Sequence, residues 1–506
     1  MTPPLIDLHP DHWAIVRDIL QTHVPQYPVW AFGSRATWKA KEFSDLDLAI
    51  ITETPLPLDV AASLREAFSD SDLPWKVDVV DWASTSATFR EIIARDKVEV
   101  QEGGAVRPIV RLGDYIESNL GKMLDAQKNK GVLRPYLGNS NVRWGAFDLN
   151  DLSLMKFEEN ENERYGIRNG DLIVCEGGEP GRCAIWRGEV TDMKIQKALH
   201  RIRPREGLDN YYLFYWFMLA GRFGWLEPFF TGTTIKHLTG KALSELKIPL
   251  PNIKEQRAIA SVLLTLDDKI DLNRRMNATL EAMARALFKD WFVDFGPTRA
   301  KLEGRAPYLA PELWALFPDQ LDEEGIPKGW ESTTVGELLD LNYGKALTAS
   351  SRKIGEIPVF GSGGQTGTHS EPLVDGPAVI VGRKGSVGTL YWVDTPVFPI
   401  DTVFFIKIKR CSLLFSYHLL DDKPLSEMNT DAAVPGLNRN NVYRLPAIWP
   451  GLKLAEQFDE LVGSLWNKRS ANLDESRTLA QTRDLLLPKL ISGEIRLNPA
   501  QAGPLV

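Results

Sequence analysis

The sequence predicts a multidomain α/β and α+β protein: two similar globular modules, each followed by a long helix, behind a separate N-terminal α/β domain. Three observations predict it. A chain of 506 residues is too long for one hydrophobic core and points to three or four domains. A segment starting at Leu112 recurs at Val335, and a heptad pattern starting at Ile259 recurs at Phe458. Residues 1–104 have no counterpart in that repeat and carry a motif of their own.

Composition bounds the class without choosing a function. Hydrophobic residues at 43% and charged residues at 25% are ordinary for a globular chain. No apolar run reaches the roughly 18 residues of a membrane span, so no membrane partner is expected. The opening MTPPLIDLHPDHW has neither a basic nor an apolar signal region. Cys175, Cys183 and Cys411 form no CxxC pair. A disulfide framework or zinc knuckle is therefore not expected, and a reducing cytoplasm is. Cys175 and Cys183 read as core residues. The formal charge of −8 does not exclude nucleic acid, because phosphate binding needs only a local basic surface.

The N-terminal domain is read over residues 1–104. After the amphipathic DHWAIVRDILQTHV (11–24) comes VWAFGSRATWKAKEFSDLDLAII (29–51). Val29 to Phe32 form a strand leading into Gly33, Ser34 and Arg35, where small residues let backbone N–H groups approach phosphate oxygens. Asp45 and Asp47 sit two apart in a hydrophobic strand, so both carboxylates point to one face. A third comes from the strand KVDVVDW (76–82), where Asp78 lies between two valines and Asp81 is the alternative. Two aspartates on one strand and one on a neighbour can hold Mg²⁺ against a nucleoside triphosphate.

This combination resembles the minimal nucleotidyltransferases of the polymerase-β type, a family that includes antitoxins modifying partner proteins. The resemblance implies phosphate binding at Gly33, Ser34 and Arg35, with Asp45, Asp47 and Asp78 as the catalytic and metal-binding triad. Mg²⁺ and a nucleoside triphosphate are the implied cofactors. Trp38 stands where the family usually has glycine, a departure that narrows the expected nucleotide pocket.

The first module spans 105–252 and the second 328–451. LGDYIESNLGKML (112–124) recurs as VGELLDLNYGKAL (335–347), aligning Gly113, Asn119, Gly121, Lys122 and Leu124 with Gly336, Asn342, Gly344, Lys345 and Leu347. Short β-rich runs between Gly-rich turns, such as GDLIVCEGGEPGRCAIW (170–186) and GPAVIVGRKGSVGTLYW (376–392), read as compact α/β modules. At a second constant offset Ile259, Leu266, Asn273, Leu280 and Leu287 match Phe458, Leu465, Asn472, Leu479 and Leu486. These heptad positions define two helices in one register, over 253–293 and 452–492. Glu255-Gln256 and Glu456-Gln457 fall out of that register. Asn273, Asn277 and Asn472 make the middle of the seam polar, either as buried register-fixing residues or as a solvated splay. Residues 294–327, rich in proline, read as a connector, and 493–506 as a tail.

The layout resembles the specificity (S) subunit of Type I restriction-modification systems, with two target-recognition domains and two long helices. LSELKIPLPNIKEQRAIASVLLTLDDKID (243–271), EEGIPKGWESTTVGELL (323–339) and RDLLLPKLISGEIRL (483–497) carry the resemblance in the correct order. It implies an antiparallel coiled coil between the helices and recognition of a bipartite double-stranded DNA target. It also implies docking of modification subunits, which use S-adenosylmethionine, and of a restriction subunit, which uses ATP. Neither a GxxxxGK[ST] loop nor an NPPY-like motif occurs in this chain.

Candidate DNA contacts are Asn139, Asn141, Arg143, Lys236 and His237 in the first module, and Arg383, Lys384, Asn438, Arg439 and Asn440 in the second. Arg suits guanine and Asn adenine in the major groove, while Lys and Arg also neutralise phosphates. For each of them a turn-capping or solvated role is the alternative. The N-terminal domain is expected to be an active transferase appended to a specificity subunit. Its alternatives are an idle docking domain, or the main activity of a chain in which the repeat serves as a scaffold.

Overall fold

The computed structural model describes residues 6–41, 43–103, 107–125, 127–428 and 436–497. They form two compact units, Met1–Thr265 with Arg483–Val506, and Leu266–Thr482. Gly104, the last residue of the expected N-terminal domain, and the tail from 498 onward lie outside the described residues.

In the N-terminal domain, strands β1 (Pro28–Phe32), β2 (Leu46–Ile50), β3 (Val77–Asp81) and β4 (Val98–Glu102) form one sheet in the order β3-β2-β1-β4. β2 and β3 run parallel, and β1 is antiparallel to both β2 and β4. Val29, Ala31, Leu46, Leu48 and Ile50 are wholly buried, in one cluster with Trp13, Val16 and Leu20 of the helix Pro10–His23 and Leu64 and Phe68 of the helix Leu58–Ser69. Burying one such aliphatic side chain contributes roughly 1.5–3 kcal/mol, which fixes the strands that carry the acids.

The two modules repeat strand for strand. In the first, a four-stranded sheet runs Cys183–Ile185, Leu172–Cys175, Leu199–Pro204, Ile116–Leu120. In the second the order is Leu390–Val393, Ala378–Gly382, Val403–Ile408, Leu339–Tyr343. A three-stranded sheet accompanies each, Ser153–Phe157, Val132–Leu137 and Lys194–Ile195 against Gly364–His369, Ile357–Gly361 and Phe398–Pro399. The aligned glycines explain why the sequence repeats there. A Cβ on Gly121 would collide with the Gln196 backbone, and one on Gly344 with the backbone of Pro399 and Ile400. A Cβ on Gly113 would stand 2.8 Å from Ser244 Cβ, and one on Gly336 2.9 Å from Tyr443 Cβ.

The first long helix is α-helical over Ile253–Phe288 and ends in a π-turn at Lys289–Val293. The second spans Leu452–Ser492. Within the second unit the helices run antiparallel, since Lys269 pairs with Glu475, Asn277 donates to the Arg469 carbonyl, and Glu281 pairs with Arg469. Asn273 and Asn472 are each 1% exposed. Asn472 donates to Asn277 Oδ1 at 2.8 Å, and Asn273 donates to Glu475 Oε2 at 2.8 Å. The polar middle of the seam is therefore a buried hydrogen-bonded layer and not a solvated splay. The out-of-register glutamines are also explained. Gln256 is buried and bonds the Asp209 N–H and the Gly207 and Pro251 carbonyls, whereas the helical match of its position is buried Ala455, and Gln457 is exposed.

Much of the connector 294–327 is packed. Pro297, Thr298 and Ala300 of the helix Gly296–Leu302 are buried. Phe317 joins the second unit's core with Leu309, Leu313 and Leu316. Apolar side chains pack this proline-rich segment although it lacks periodicity.

Candidate functional site

In the N-terminal domain β2 and β3 place Asp47 directly opposite Asp78 in the parallel register. Burial pushes the Asp47 carboxyl above the usual carboxylate range, and the charges of Asp78 and Asp45 push it further. Lys76 pairs with Asp78 at 2.5 Å. Gly33 opens the short helix Gly33–Ala36 at φ 74°, and a Cβ there would collide with Asp47 Oδ2. Glycine is thus required for two reasons, the left-handed backbone and the carboxylate against it. Ser34 is half-buried in the same turn.

Among the described residues no group of three His, Cys, Asp or Glu side chains is arranged to hold a metal ion. The chemistry of the donors still fits a divalent cation, because a positive charge among these crowded carboxylates relieves the repulsion that raises Asp47. Arg35 faces elsewhere than expected. Its guanidinium is buried, donates to the Asp7 and Ser44 carbonyls at 2.9 Å and lies over the Trp75 ring, so it braces the loop. Both carboxylate oxygens of Asp81 are engaged by its own surroundings. Burial alone would raise it, but Thr52, Ser84 and the Leu56 and Ala83 N–H groups donate to it and hold it below the usual range. Trp38 is 63% exposed with φ 57°, the left-handed region that favours glycine, at a cost of about 1–2 kcal/mol.

In the second module two of the five candidates share one ring that the sequence reading overlooked, and the other three adjoin them in sequence. Arg383 and Arg439 each place a guanidinium 5.1 Å from the centroid of Tyr343. The Leu437 N–H donates to the Arg383 carbonyl, which brings Asn438, Arg439 and Asn440 beside the turn that carries Lys384. Asn438 caps the helix Arg439–Tyr443, so its side-chain oxygen is used. The position of Tyr343 inside the repeated Asn-x-Gly-Lys was the available signal.

The first module assembles a different group. Asn139 lies against Gly178, where a Cβ would strike its amide, and the His237 ring lies against Gly177. Arg182 donates to the Asn139 carbonyl at 2.9 Å. Lys236 is exposed near the Phe230 ring. Arg143, also exposed, pairs with Asp148 at 3.3 Å. Asn141 departs from the expectation. It is buried, its oxygen accepts the Gly138 N–H, and its amide donates to the Asp148 and Asp151 carbonyls, so it holds the turn together. A 380 Å³ cavity lined by Trp144, Tyr215, Met218 and Leu487 collects none of the candidates. Cys175 and Cys183 are buried free thiols, as expected of core residues.

The family described as Type I restriction modification DNA specificity domain matches residues 108–282 and 327–439. The chain belongs to the Type I restriction-modification specificity family. Over 356 residues it is 27% identical to the Type I restriction enzyme MjaIX specificity subunit of Methanocaldococcus jannaschii, covering 65% of this chain and 78% of that one. A crystal structure of a Type I S subunit from M. genitalium aligns with 76% of this chain and 96% of that chain at a TM-score of 0.46 and 19% identity.

Residues 16–102 match the polymerase-β nucleotidyltransferase family. That region is 58% identical over 97 residues to the probable protein adenylyltransferase MntA of Haemophilus influenzae, covering 19% of this chain and 85% of that one. The chain is therefore a specificity subunit with an N-terminal nucleotidyltransferase domain. No described helix is long and apolar enough to cross a membrane.

Proposed function

We propose that this specificity subunit reads a split double-stranded DNA sequence, each recognition module reading one half, and docks Type I modification and restriction subunits. The observation that carries the reading is the equivalence of the two modules, whose sheets share one strand order. Two copies of one reader on one chain suit two half-sites. S-adenosylmethionine and ATP chemistry then belongs to the partner subunits. The test exchanges residues 336–450 for those of another S subunit within the assembled complex. The expected outcome is a changed preference at one half-site only, and a change at both would defeat the two-reader reading.

For the N-terminal domain we propose Mg²⁺-dependent transfer of a nucleotidyl group to a hydroxyl on a partner protein. The acceptor hydroxyl gives up its proton to solvent as its oxygen bonds to the α-phosphorus, the bond from that phosphorus to the bridging oxygen breaks, and pyrophosphate leaves. Gly33 and Ser34 border the phosphate position, and Asp45, Asp47 and Asp78 would hold the cation that offsets the developing charge. What supports this is the Asp47 carboxyl beside Gly33, raised first by burial and then by the charges of Asp78 and Asp45. With labelled nucleoside triphosphate and copurified partners, the Asp45→Asn and Asp47→Asn variants should lose transfer by at least about 100-fold. DNA specificity should persist in both. A wild-type domain that neither binds nucleotide nor transfers it leaves docking as its role.

A further inference from the structure

We infer that Tyr343, Arg383 and Arg439 form a pre-organised guanine-reading centre in the second module, with no counterpart in the first. The inference rests on the DNA-specificity reading above.

Backbone geometry fixes which positions correspond. The pairs Leu172–Ile185 and Ile173–Ala184 of the first module match Val379–Trp392 and Ile380–Tyr391 of the second. The turns that follow both place glycines in the left-handed region, Gly178 and Gly181 at φ 74° and 90°, Gly385 and Gly388 at 80° and 74°. The same cross-link closes each site, Leu238 N–H to the Glu176 carbonyl at 2.7 Å and Leu437 N–H to the Arg383 carbonyl at 2.8 Å. In this frame Arg383 stands at the position of Glu176, Arg439 at that of Gly240, and Tyr343 at that of Leu120. A cation-and-ring cluster therefore replaces an acid, a glycine and an aliphatic residue at one place in a shared skeleton.

The geometry favours a base edge over a phosphate. Tyr343 is 51% exposed and holds both guanidinium groups against its ring. Arg383 also donates to the Asp401 carbonyl at 2.6 Å, which fixes its plane further. A fixed, planar fork of donors matches guanine O6 and N7, and little side-chain freedom remains to be lost on binding. Phosphate contact needs no fixed plane and suits exposed Lys384 beside it.

The test uses the complex assembled with its modification subunits and a library of randomised split targets, read by methylation. The wild type should select guanine in the half-site that follows residues 336–450 in a module exchange. Arg383→Ala, Arg439→Ala and Tyr343→Ala should each reduce discrimination for that guanine about ten- to hundredfold, leaving the other half-site unchanged. Tyr343→Phe keeps the ring and should keep the preference, which separates recognition from folding. Three results would overturn the inference: no guanine in that half-site, an equal loss by the arginine variants across all sequences, or relaxation of the other half. A wild-type complex that selects no sequence at all would instead defeat the DNA-specificity reading, and this inference with it.

Discussion

Gly121 passes over the Gln196 backbone in the first module, and Gly344 passes over Ile400 in the second. One residue before each, the first module carries Leu120 and the second Tyr343. The same contrast recurs at the neighbouring turn, where Gly178 and Gly385 share a left-handed backbone while Glu176 and Arg383 share nothing but position. What repeats is whatever the chain path demands, namely glycines at close approaches, strand order and the helical register. What varies is the chemistry at the rim. A protein that must present two different readers on one frame is free to change the second set and not the first.

The largest expected effects test the frame. Gly121→Ala and Gly344→Ala each force a Cβ into backbone that cannot swing aside, and each should cost about 4 kcal/mol in thermal unfolding of its own unit. Gly463→Ala is the control. It lies within the second long helix with nothing near its missing Cβ, so it should gain up to about 1 kcal/mol. If one of the first two were tolerated and the other not, the equivalence of the modules would be broken.

A second comparison concerns buried histidines. His418, 2% exposed among Phe288, Phe458 and Trp466, has no hydrogen-bond partner at either ring nitrogen among the described residues, and burial lowers its pKa to about 4. His200 in the first module is also lowered by burial, but its Nε2 meets the Leu238 carbonyl at 2.9 Å, which favours the charged form. A folded-state pKa below the unfolded value means the unfolded chain binds more protons. Stability is then complete above about pH 6.5 and lost as pH falls towards about 4, for His418 on the order of 3 kcal/mol. The second unit should show the steeper acid sensitivity, and His418→Phe should flatten it in calorimetry at pH 7 and 5. Equal slopes in both units would remove the contrast.

Much of this was legible in the sequence because steric demands recur as residue types. Gly113, Gly121, Asn273 and Asn472 stand out in the sequence, and each is fixed by a close approach or a buried bond. Strand alternation made Asp47 and Asp78 legible as facing neighbours, whereas Asp45 falls just before its strand. Side-chain destinations were not legible. Arg35 and Asn141 look like ligand contacts in sequence, yet both spend their donors on carbonyls that only the folded chain brings near. Tyr343 was missed for the converse reason: its place in the repeated Asn-x-Gly-Lys marks the position, but not that two arginines distant in sequence fold onto its ring.

The smallest expected effect lies in the N-terminal domain, outside the repeat, where a lesion should leave both modules untouched. Asp47 is raised above the ordinary carboxylate range, first by burial and then by Asp78 and Asp45. The folded state therefore holds this proton more tightly than the unfolded chain. Below the unfolded pKa, about 3.9, the group costs nothing. As pH rises through that value the cost grows, and above the folded pKa it is complete. Asp47→Asn removes the charge and should stabilise the domain at pH 7 by less than about 1 kcal/mol, with no gain near pH 3. Mg²⁺ should produce a similar shift in the wild type by neutralising the same cluster, and a much smaller one in the variant. Stability and transfer then move in opposite directions on one substitution, as expected where charge is held against repulsion for chemistry. Thermal unfolding at both pH values, with and without Mg²⁺, measures it. A variant less stable than the wild type at pH 7 would show that the carboxylate serves the fold and not a cation.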